Sequence, residues 1–278
     1  TLKLETVPKV ASKINIIIDE IYNYPYTKDT KTRMYSSTKS VTAIAIGKLI
    51  TEGKLKIDEK LVDIFADRFN MDNVDENAKE LTVYNMLTMQ TAYSSPTYTA
   101  NDKNWLETYF NHNSTHPSGT VWNYDSSGSY VLGAIVKQKT GKNFIDYLRP
   151  IFDEIGVSED IYCMEGPDGE AWGPSAMIAK TTDLAKIAYL MLEKGQWNKK
   201  QLLPFDYALD AISPLVRNDD GAKNTRFDCG YGYQIWSHPN GAFAFRGLGG
   251  QLAIGFRGRD LVFACNADTA GNNSMYDD

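Results

Sequence analysis

A serine and a lysine three residues apart, Ser36 and Lys39, stand at the start of a strongly helical pattern. Residues i and i+3 of a helix lie on one face, so the Lys39 amine is within reach of the Ser36 hydroxyl. A serine hydroxyl is a weak nucleophile until a neighbouring group removes its proton. The pair therefore predicts a nucleophile activated by lysine, without a histidine. The alternative is that Ser36 only caps the helix and Lys39 is a solvated residue of its first turn.

Two further segments carry groups suited to the same chemistry. Tyr124 and Ser126 flank Asp125 just before a second helical pattern, and a phenol beside a lysine can act as a general base. The segment Phe245–Gln251 places glycines at the junction of two strands, where a backbone N–H can face a developing oxyanion. Each segment also has a structural alternative: a buried tyrosine with an N-cap serine in the first, and a β-bulge in the second.

In their order along the chain, these segments resemble the serine β-lactamase and penicillin-binding-protein superfamily. The resemblance rests on Arg33–Ala43, Gly53–Glu59, Leu81–Met89 and 124–126. It is greatest for the class C-like branch, which includes esterases, D-amino-acid peptidases and 6-aminohexanoate-oligomer hydrolases. The segments 230–236 and 247–251 look like those of the esterase and aminohexanoate-hydrolase members.

The resemblance implies hydrolysis through an acyl-enzyme. Ser36 is the expected nucleophile, and Lys39 and Tyr124 share the proton transfers. Ser126 is expected to orient Lys39 by a hydrogen bond. The backbone N–H groups of Ser36 and Leu248 form the expected oxyanion hole, with Gly247 in a supporting role beside it.

Three residues are candidates for substrate contact: Trp172, Trp236 and Arg246. Trp172 lies in a segment, 170–175, that is expected to form a loop over the cleft. Both tryptophans are also typical core or rim residues, because an indole buries a large area wherever it lies.

The third motif departs from the superfamily pattern. Lys-Thr-Gly is replaced by Phe245-Arg246-Gly247, so the lysine that would bind a substrate carboxylate is missing unless Arg246 points into the cleft. The second motif has Ser126 where many members have asparagine. These departures favour a small esterase or amidase over a β-lactamase or D-Ala-D-Ala carboxypeptidase. A catalytically silent relative that binds a ligand or partner is the alternative from another class.

Composition narrows the classes of partner. The 278 residues have a net charge of −6 and a pI near 5.2, with no basic run, which argues against nucleic acid. No apolar stretch reaches the roughly 18 residues of a membrane span. Three cysteines, Cys163, Cys229 and Cys265, without a C-x-x-C pair indicate neither a disulfide framework nor a zinc site. No metal or other cofactor is expected, and the expected partner is a small ester or amide. Oligomeric state and location, cytoplasmic or exported in a bacterium, stay open.

The fold class implied is α/β (α+β) of the β-lactamase/transpeptidase type. We expect a single domain, 1–278, with an antiparallel sheet subdomain (1–54 and 226–278) flanked by helices and an inserted, mostly helical subdomain (55–225). Apolar periodicity predicts a buried helix over 37–52 ended by Gly53. It also predicts helices over 82–89, 129–139 and 182–193, strands over 14–18 and 21–24, and a C-terminal meander of strands over 231–236, 242–246, 251–256 and 260–267.

Overall fold

The helix predicted after Ser36 is the central helix of the molecule. The computed structural model describes residues 17–94, 96–218 and 229–268, and in it α1 spans Ser37–Thr51. Its apolar residues lie on every side rather than along one stripe, and Val41, Ile44 and Ile46 are buried, as expected of a helix inside a core. Gly53 follows its end with a φ of +66°, so the predicted stop is confirmed.

The other helices follow the predicted order. The predictions over 82–89, 129–139 and 182–193 are confirmed, with ends that differ by a few residues. Thr82 caps the first of them through a reciprocal pair of bonds with Asn85, and Gly141 ends the second with a φ of +73°. The helices are α2 (Leu61–Ile64), α3 (Glu76–Lys79), α4 (Val83–Leu87), α5 (Trp105–Asn111), α6 (Ser126–Thr140), α7 (Phe144–Ile155), α8 (Thr181–Leu192) and α9 (Phe205–Ala211), with a 3₁₀ turn at Pro239–Gly241.

Strands form three antiparallel sheets in the described residues. The first two are small, with the orders β1-β3-β2 and β4-β5, and the third has the order β6-β7-β8-β9. The last four strands are consecutive in the chain, so the predicted C-terminal meander is confirmed for the strands over 242–246, 251–256 and 260–267. The strand predicted over 231–236 is wrong: Gly232 N–H donates to the Ile235 carbonyl at 2.9 Å and Gln234 has a φ of +58°, so the chain turns there and β6 begins only at Trp236. The strands are β1 (Thr32–Arg33), β2 (Tyr162–Cys163), β3 (Met177–Ala179), β4 (Gln196–Trp197), β5 (Lys200–Gln201), β6 (Trp236–Ser237), β7 (Phe243–Gly247), β8 (Gln251–Phe256) and β9 (Leu261–Cys265).

The prediction of a strand over 21–24 is wrong. Residues 17–31 contain no strand, and Ile21 and Tyr24 are 78% and 98% exposed. Isoleucine and tyrosine favour a strand only where a neighbouring strand and a packed face receive them. The chain instead enters the fold at β1, which pairs with β3 rather than with the four-stranded sheet. The strand predicted over 14–18 begins outside the described residues.

The fold class, mixed helices with antiparallel sheets, is confirmed. Helix α1 lies at its centre, with α6 and α7 against it and β7 across it, while α8 covers β8 and β9. This arrangement brings the start of α1 and the end of β7 together. The division into subdomains remains a prediction. Among the described helices, none has the length and apolar character that a membrane crossing requires.

Candidate active site

Ser36 lies at the N-terminus of α1, and its hydroxyl does not cap the helix. It occupies the N-cap position with φ −65° and ψ −13°, and its side chain makes no cap hydrogen bond. Instead its Oγ accepts a hydrogen bond from Lys39 Nζ at 3.2 Å. The alternative of Ser36 as a side-chain cap is therefore wrong. The hydroxyl and the amine are therefore in direct hydrogen-bond contact.

Lys39 is buried, with 1% of its surface exposed. Its Nζ donates to the Ser36 hydroxyl and, at 2.9 Å, to the Pro174 carbonyl oxygen. No ion pair joins it to a carboxylate of the described chain. A side chain this deeply buried is not solvated, so the alternative of a solvated first-turn lysine is wrong.

Tyr124 reaches the same lysine with the face of its ring. Lys39 Nζ lies 4.8 Å from the ring centre, a distance at which a cation is attracted by the aromatic quadrupole. The turn that carries Tyr124 is fixed at both sides: Asn123 N–H donates to the Met89 carbonyl at 2.9 Å, and the buried Asp125 carboxylate caps α6 by accepting from Ser127 N–H at 2.8 Å. The second motif is thus a rigid support for the phenol.

Ser126 begins α6, next to the capping carboxylate. The hydrogen bond expected from Ser126 to Lys39 is not formed in this structure, and the Pro174 carbonyl is the second acceptor instead. Sequence reasoning missed Pro174 because a backbone oxygen leaves no residue-type signal. The only sign was the Gly173-Pro174 pair, which predicted a loop.

The loop 170–175 packs against α1. A Cβ on Gly173 would meet Thr42 Oγ1 at 2.8 Å and the Ser129 carbonyl at 3.3 Å, so only glycine allows this approach. Trp172 lies in the same loop, 4.8 Å from the Arg33 guanidinium and 5.5 Å from the Trp105 ring. The tight contact at Gly173 is what brings the Pro174 oxygen to Lys39.

Gly247 ends β7 against the nucleophile segment. A Cβ here would lie 2.2 Å from the Met34 oxygen and 3.1 Å from the Ser37 nitrogen. Ser37 Oγ also donates to the Gln251 carbonyl at 2.8 Å, which ties α1 to the start of β8. Leu248 follows Gly247 in the turn and is half-exposed. The sequence left two explanations for glycine here, a β-bulge and a close approach of two backbones. These distances show a close approach, which an oxyanion hole formed by the N–H groups of Ser36 and Leu248 would need.

The position of the missing third-motif lysine holds an apolar core residue. Phe245 is fully buried, with its ring 6.1 Å from that of Phe243. Side chains alternate along a strand, and the register pairs Arg246 with Leu252. The guanidinium of Arg246 therefore leaves the strand on the other face and lies 4.9 Å from the Trp236 ring.

Burial controls the ionisable groups around Trp236. It raises the pKa of Tyr231 well above its ordinary value, so this phenol is neutral. Burial, and secondarily the Arg246 charge, lowers the pKa of His238 to about 4. His238 is consequently a neutral imidazole near pH 7. Across the described residues, no three histidine, cysteine or acidic side chains come together as a metal site would require.

A cavity of about 640 Å³ adjoins the second motif, with Gln90, His116, Trp122 and Asn123 among its lining residues. Trp122 and Asn123 lie directly before Tyr124 in the chain. The cavity has a volume typical of small-molecule sites, but Ser36, Lys39 and Tyr124 are not among its lining residues, so it is separate from the contact between the serine and the lysine.

Comparison with known proteins gives one family match and several similar folds. A family model described as Beta-lactamase matches residues 16–277, and no curated protein matches the chain. The fold is similar to that of the "Putative 6-aminohexanoate-dimer hydrolase from Bacillus anthracis", with a TM-score of 0.74 and 21% identity over 92% of this chain and 72% of that one.

Two further solved structures share the fold. A penicillin-binding protein from Bacillus halodurans has a TM-score of 0.67 and 18% identity, over 91% of this chain and 85% of that one. EstCE1, described as a hydrolase with promiscuous acyltransferase activity, has a TM-score of 0.69 and 12% identity, over 91% and 84%. At these identities the likeness concerns the fold.

Proposed function

The chain belongs to the Beta-lactamase family, a family of hydrolases, and on that premise we propose that it is a serine hydrolase acting through an acyl-enzyme on a small ester or amide. The observation that carries the proposal is the 3.2 Å contact between the buried Lys39 amine and the Ser36 hydroxyl. Among the described residues no carboxylate pairs with this buried lysine, which favours a chemical over a structural use.

The proposed reaction has two steps. Ser36 Oγ attacks the substrate carbonyl while Lys39 and Tyr124 share the transfer of its proton. The N–H groups of Ser36 and Leu248 stabilise the oxyanion. The leaving alcohol or amine departs with a proton, which gives the acyl-enzyme. Water then attacks the ester, with Tyr124 as its base, and the acid and free Ser36 are released. Ser36 lies at a helix N-terminus, where the dipole favours the developing negative charge.

The substrate class follows from the third motif. At the position of the third-motif lysine, Phe245 is buried in the core and presents no ammonium to a substrate, which favours a neutral acyl group over the carboxylate of a penicillin or of a D-Ala-D-Ala peptide. Two of the structural relatives are named as an aminohexanoate-dimer hydrolase and as an acyltransferring hydrolase. These names suit the ester or amide assignment.

Labelling with a fluorophosphonate probe tests the nucleophile directly. We expect labelling of the folded chain at Ser36, a burst of p-nitrophenol from p-nitrophenyl acetate, and no acylation by penicillin. Ser36→Ala should lose labelling and turnover. The matched control is Ser213→Ala, whose hydroxyl contacts the Leu209 carbonyl outside the site, and it should keep both.

Three outcomes would overturn the proposal in different ways. Absence of labelling in the folded wild-type chain would favour the catalytically silent alternative. Acylation by penicillin in preference to the ester would favour the β-lactamase or carboxypeptidase alternative. A Ser36→Ala variant with full turnover would contradict the mechanism whatever the substrate.

A further inference from the structure

Aromatic rings and cations form a continuous column from the third motif to Lys39. The Arg246 guanidinium lies 4.9 Å from the centre of the Trp236 ring. Trp236 stacks on Tyr124, with ring centres 5.4 Å apart and 28° between the planes. Lys39 Nζ then lies 4.8 Å from the Tyr124 ring centre. The four side chains come from β7, β6, the turn before α6, and α1, so the column joins four separate parts of the fold.

The surroundings of Trp236 argue against its use as a wall of the substrate pocket. Besides Tyr124 and Arg246, the edges of two more rings approach the indole: Tyr231 at 5.1 Å and Trp122 at 5.9 Å. Tyr231 is fully buried, which makes this support rigid. The indole is thus half-buried among side chains of its own chain, and its stacked partner is Tyr124.

Stacking restricts what Tyr124 can do. Within the described residues the Tyr124 hydroxyl makes no hydrogen bond to Ser36 or Lys39, and the ring contacts Lys39, Trp236 and Trp122. Offset stacking and cation–π attraction act in these contacts, and both depend on ring orientation. Losing the indole would free the phenol to rotate away from the lysine.

We infer that Trp236 is a positioning residue that holds the Tyr124 ring against Lys39. Arg246 contacts the same indole and keeps it stacked on the Tyr124 ring. This inference rests on the proposed function, because Tyr124 must take part in the reaction for its orientation to matter. It replaces the expectation that Trp236 and Arg246 contact the substrate.

The two roles predict different dependences on the acyl group. A pocket wall contacts the acyl chain, so its removal changes KM and affects long chains more than short ones. A residue that positions the base acts on every substrate alike and lowers kcat. The measurement is therefore kcat and KM on p-nitrophenyl acetate, butyrate and octanoate.

Trp236→Leu removes the stacking ring but keeps an apolar side chain. We expect kcat to fall by about 10²-fold, the effect of roughly 1 Å of misplacement, equally for all three esters and with little change in KM. Trp236→Phe, which retains a ring, should recover part of the loss. The control is Trp197→Phe in β4, whose indole contacts the Tyr189 ring at 5.8 Å and which should match wild type. A thermal melt of each variant verifies folding.

Arg246 is tested with a neutral and an anionic ester. If it supports the stack, Arg246→Gln lowers kcat on p-nitrophenyl acetate and p-nitrophenyl hemisuccinate by the same factor, about two- to fivefold for one cation–π contact. Arg246→Lys should lose less, because it keeps a cation over the indole.

Either of two results would overturn the inference. One is a Trp236→Leu loss that grows with acyl length and appears in KM, which would restore the pocket wall. The other is an Arg246→Gln loss confined to the hemisuccinate, which would make Arg246 a carboxylate-binding residue. Failure of the proposed function is separate, since the wild-type chain would then neither label with fluorophosphonate nor hydrolyse any of the esters.

Discussion

Replacing Gly247 by alanine places a methyl group in the contact between β7 and the nucleophile segment. The new Cβ would lie 2.2 Å from the Met34 oxygen, about 1 Å inside an ordinary van der Waals contact. Both partners are backbone atoms, so the strand or the segment before α1 must move. A displacement of this size at reacting groups costs about 10²-fold in kcat. The overpacking costs a further ~1–3 kcal/mol of the free energy of unfolding.

Gly255→Ala is the matched control. It lies in β8 of the same sheet, and its Cβ would meet the Phe243 ring at 2.3 Å, so it should lower stability by a similar amount. It is remote from Ser36 in the strand register, where Gly255 pairs with Phe243. We expect kcat per folded molecule to fall about 10²-fold in Gly247→Ala and to stay near wild type in Gly255→Ala.

The assay combines urea denaturation with kcat on p-nitrophenyl acetate at a temperature where both variants are folded. A Gly247→Ala variant that is folded and has wild-type kcat would refute the reasoning that β7 presents a backbone N–H to the reaction. An equal loss of kcat in both variants would refute it too, since the effect would then be general loosening of the sheet.

Three further predictions concern the lysine, the loop and pH. Lys39→Met should lower kcat by about 10²- to 10⁴-fold yet leave the melting temperature equal or higher, because it removes a buried polar group that pairs with no carboxylate of the described residues; a lower melting temperature with retained turnover would contradict this. Gly173→Ala should displace the Pro174 carbonyl and lower kcat about tenfold with KM little changed; unchanged kcat at several pH values would show that the carbonyl is dispensable. His238 has a folded pKa of about 4 against an unfolded value near 6.5, so the unfolded state binds more protons between them. Stability is therefore full above about pH 6.5 and is lost as pH falls towards 4, by about 1–2 kcal/mol after allowance for partial exposure; urea denaturation should show a smaller pH dependence in His238→Gln, and an equal dependence would exclude this imidazole as the cause.

Elements built on local periodicity were predictable from the sequence. The helix over 37–52 and the strands after residue 241 have apolar residues at spacings that only one type of element can bury. Caps are local as well, and the Thr82 cap and the Gly53 and Gly141 stops occur where the residues indicate. The strand over 21–24 failed for the complementary reason. Its residues favour a strand, but a strand also requires a partner edge, and the described chain offers none there.

Contacts between site residues are likewise of two kinds: local ones, which the sequence predicts, and long-range ones, which it does not. Ser36 and Lys39 are three residues apart, so helix geometry alone predicts their contact. The contact from Lys39 to Pro174 spans 135 residues, and nothing local predicts which loop a buried amine will meet. The roles of Leu248 in the oxyanion hole and of Ser126 beside the lysine remain predictions carried by the resemblance.

The sequence by itself determined the contact between Ser36 and Lys39 and the order of three motifs, because residue type and helical spacing can be read along the chain. Only the tertiary structure decided which groups surround them. Strand register placed Arg246 on the face of Trp236, since a shift of one residue would exchange the two faces. Long-range packing enclosed Lys39 against Pro174 and set β7 against the nucleophile segment at Gly247. These contacts depend on how separate elements fit together, which is a property of the packed core and not of any one segment.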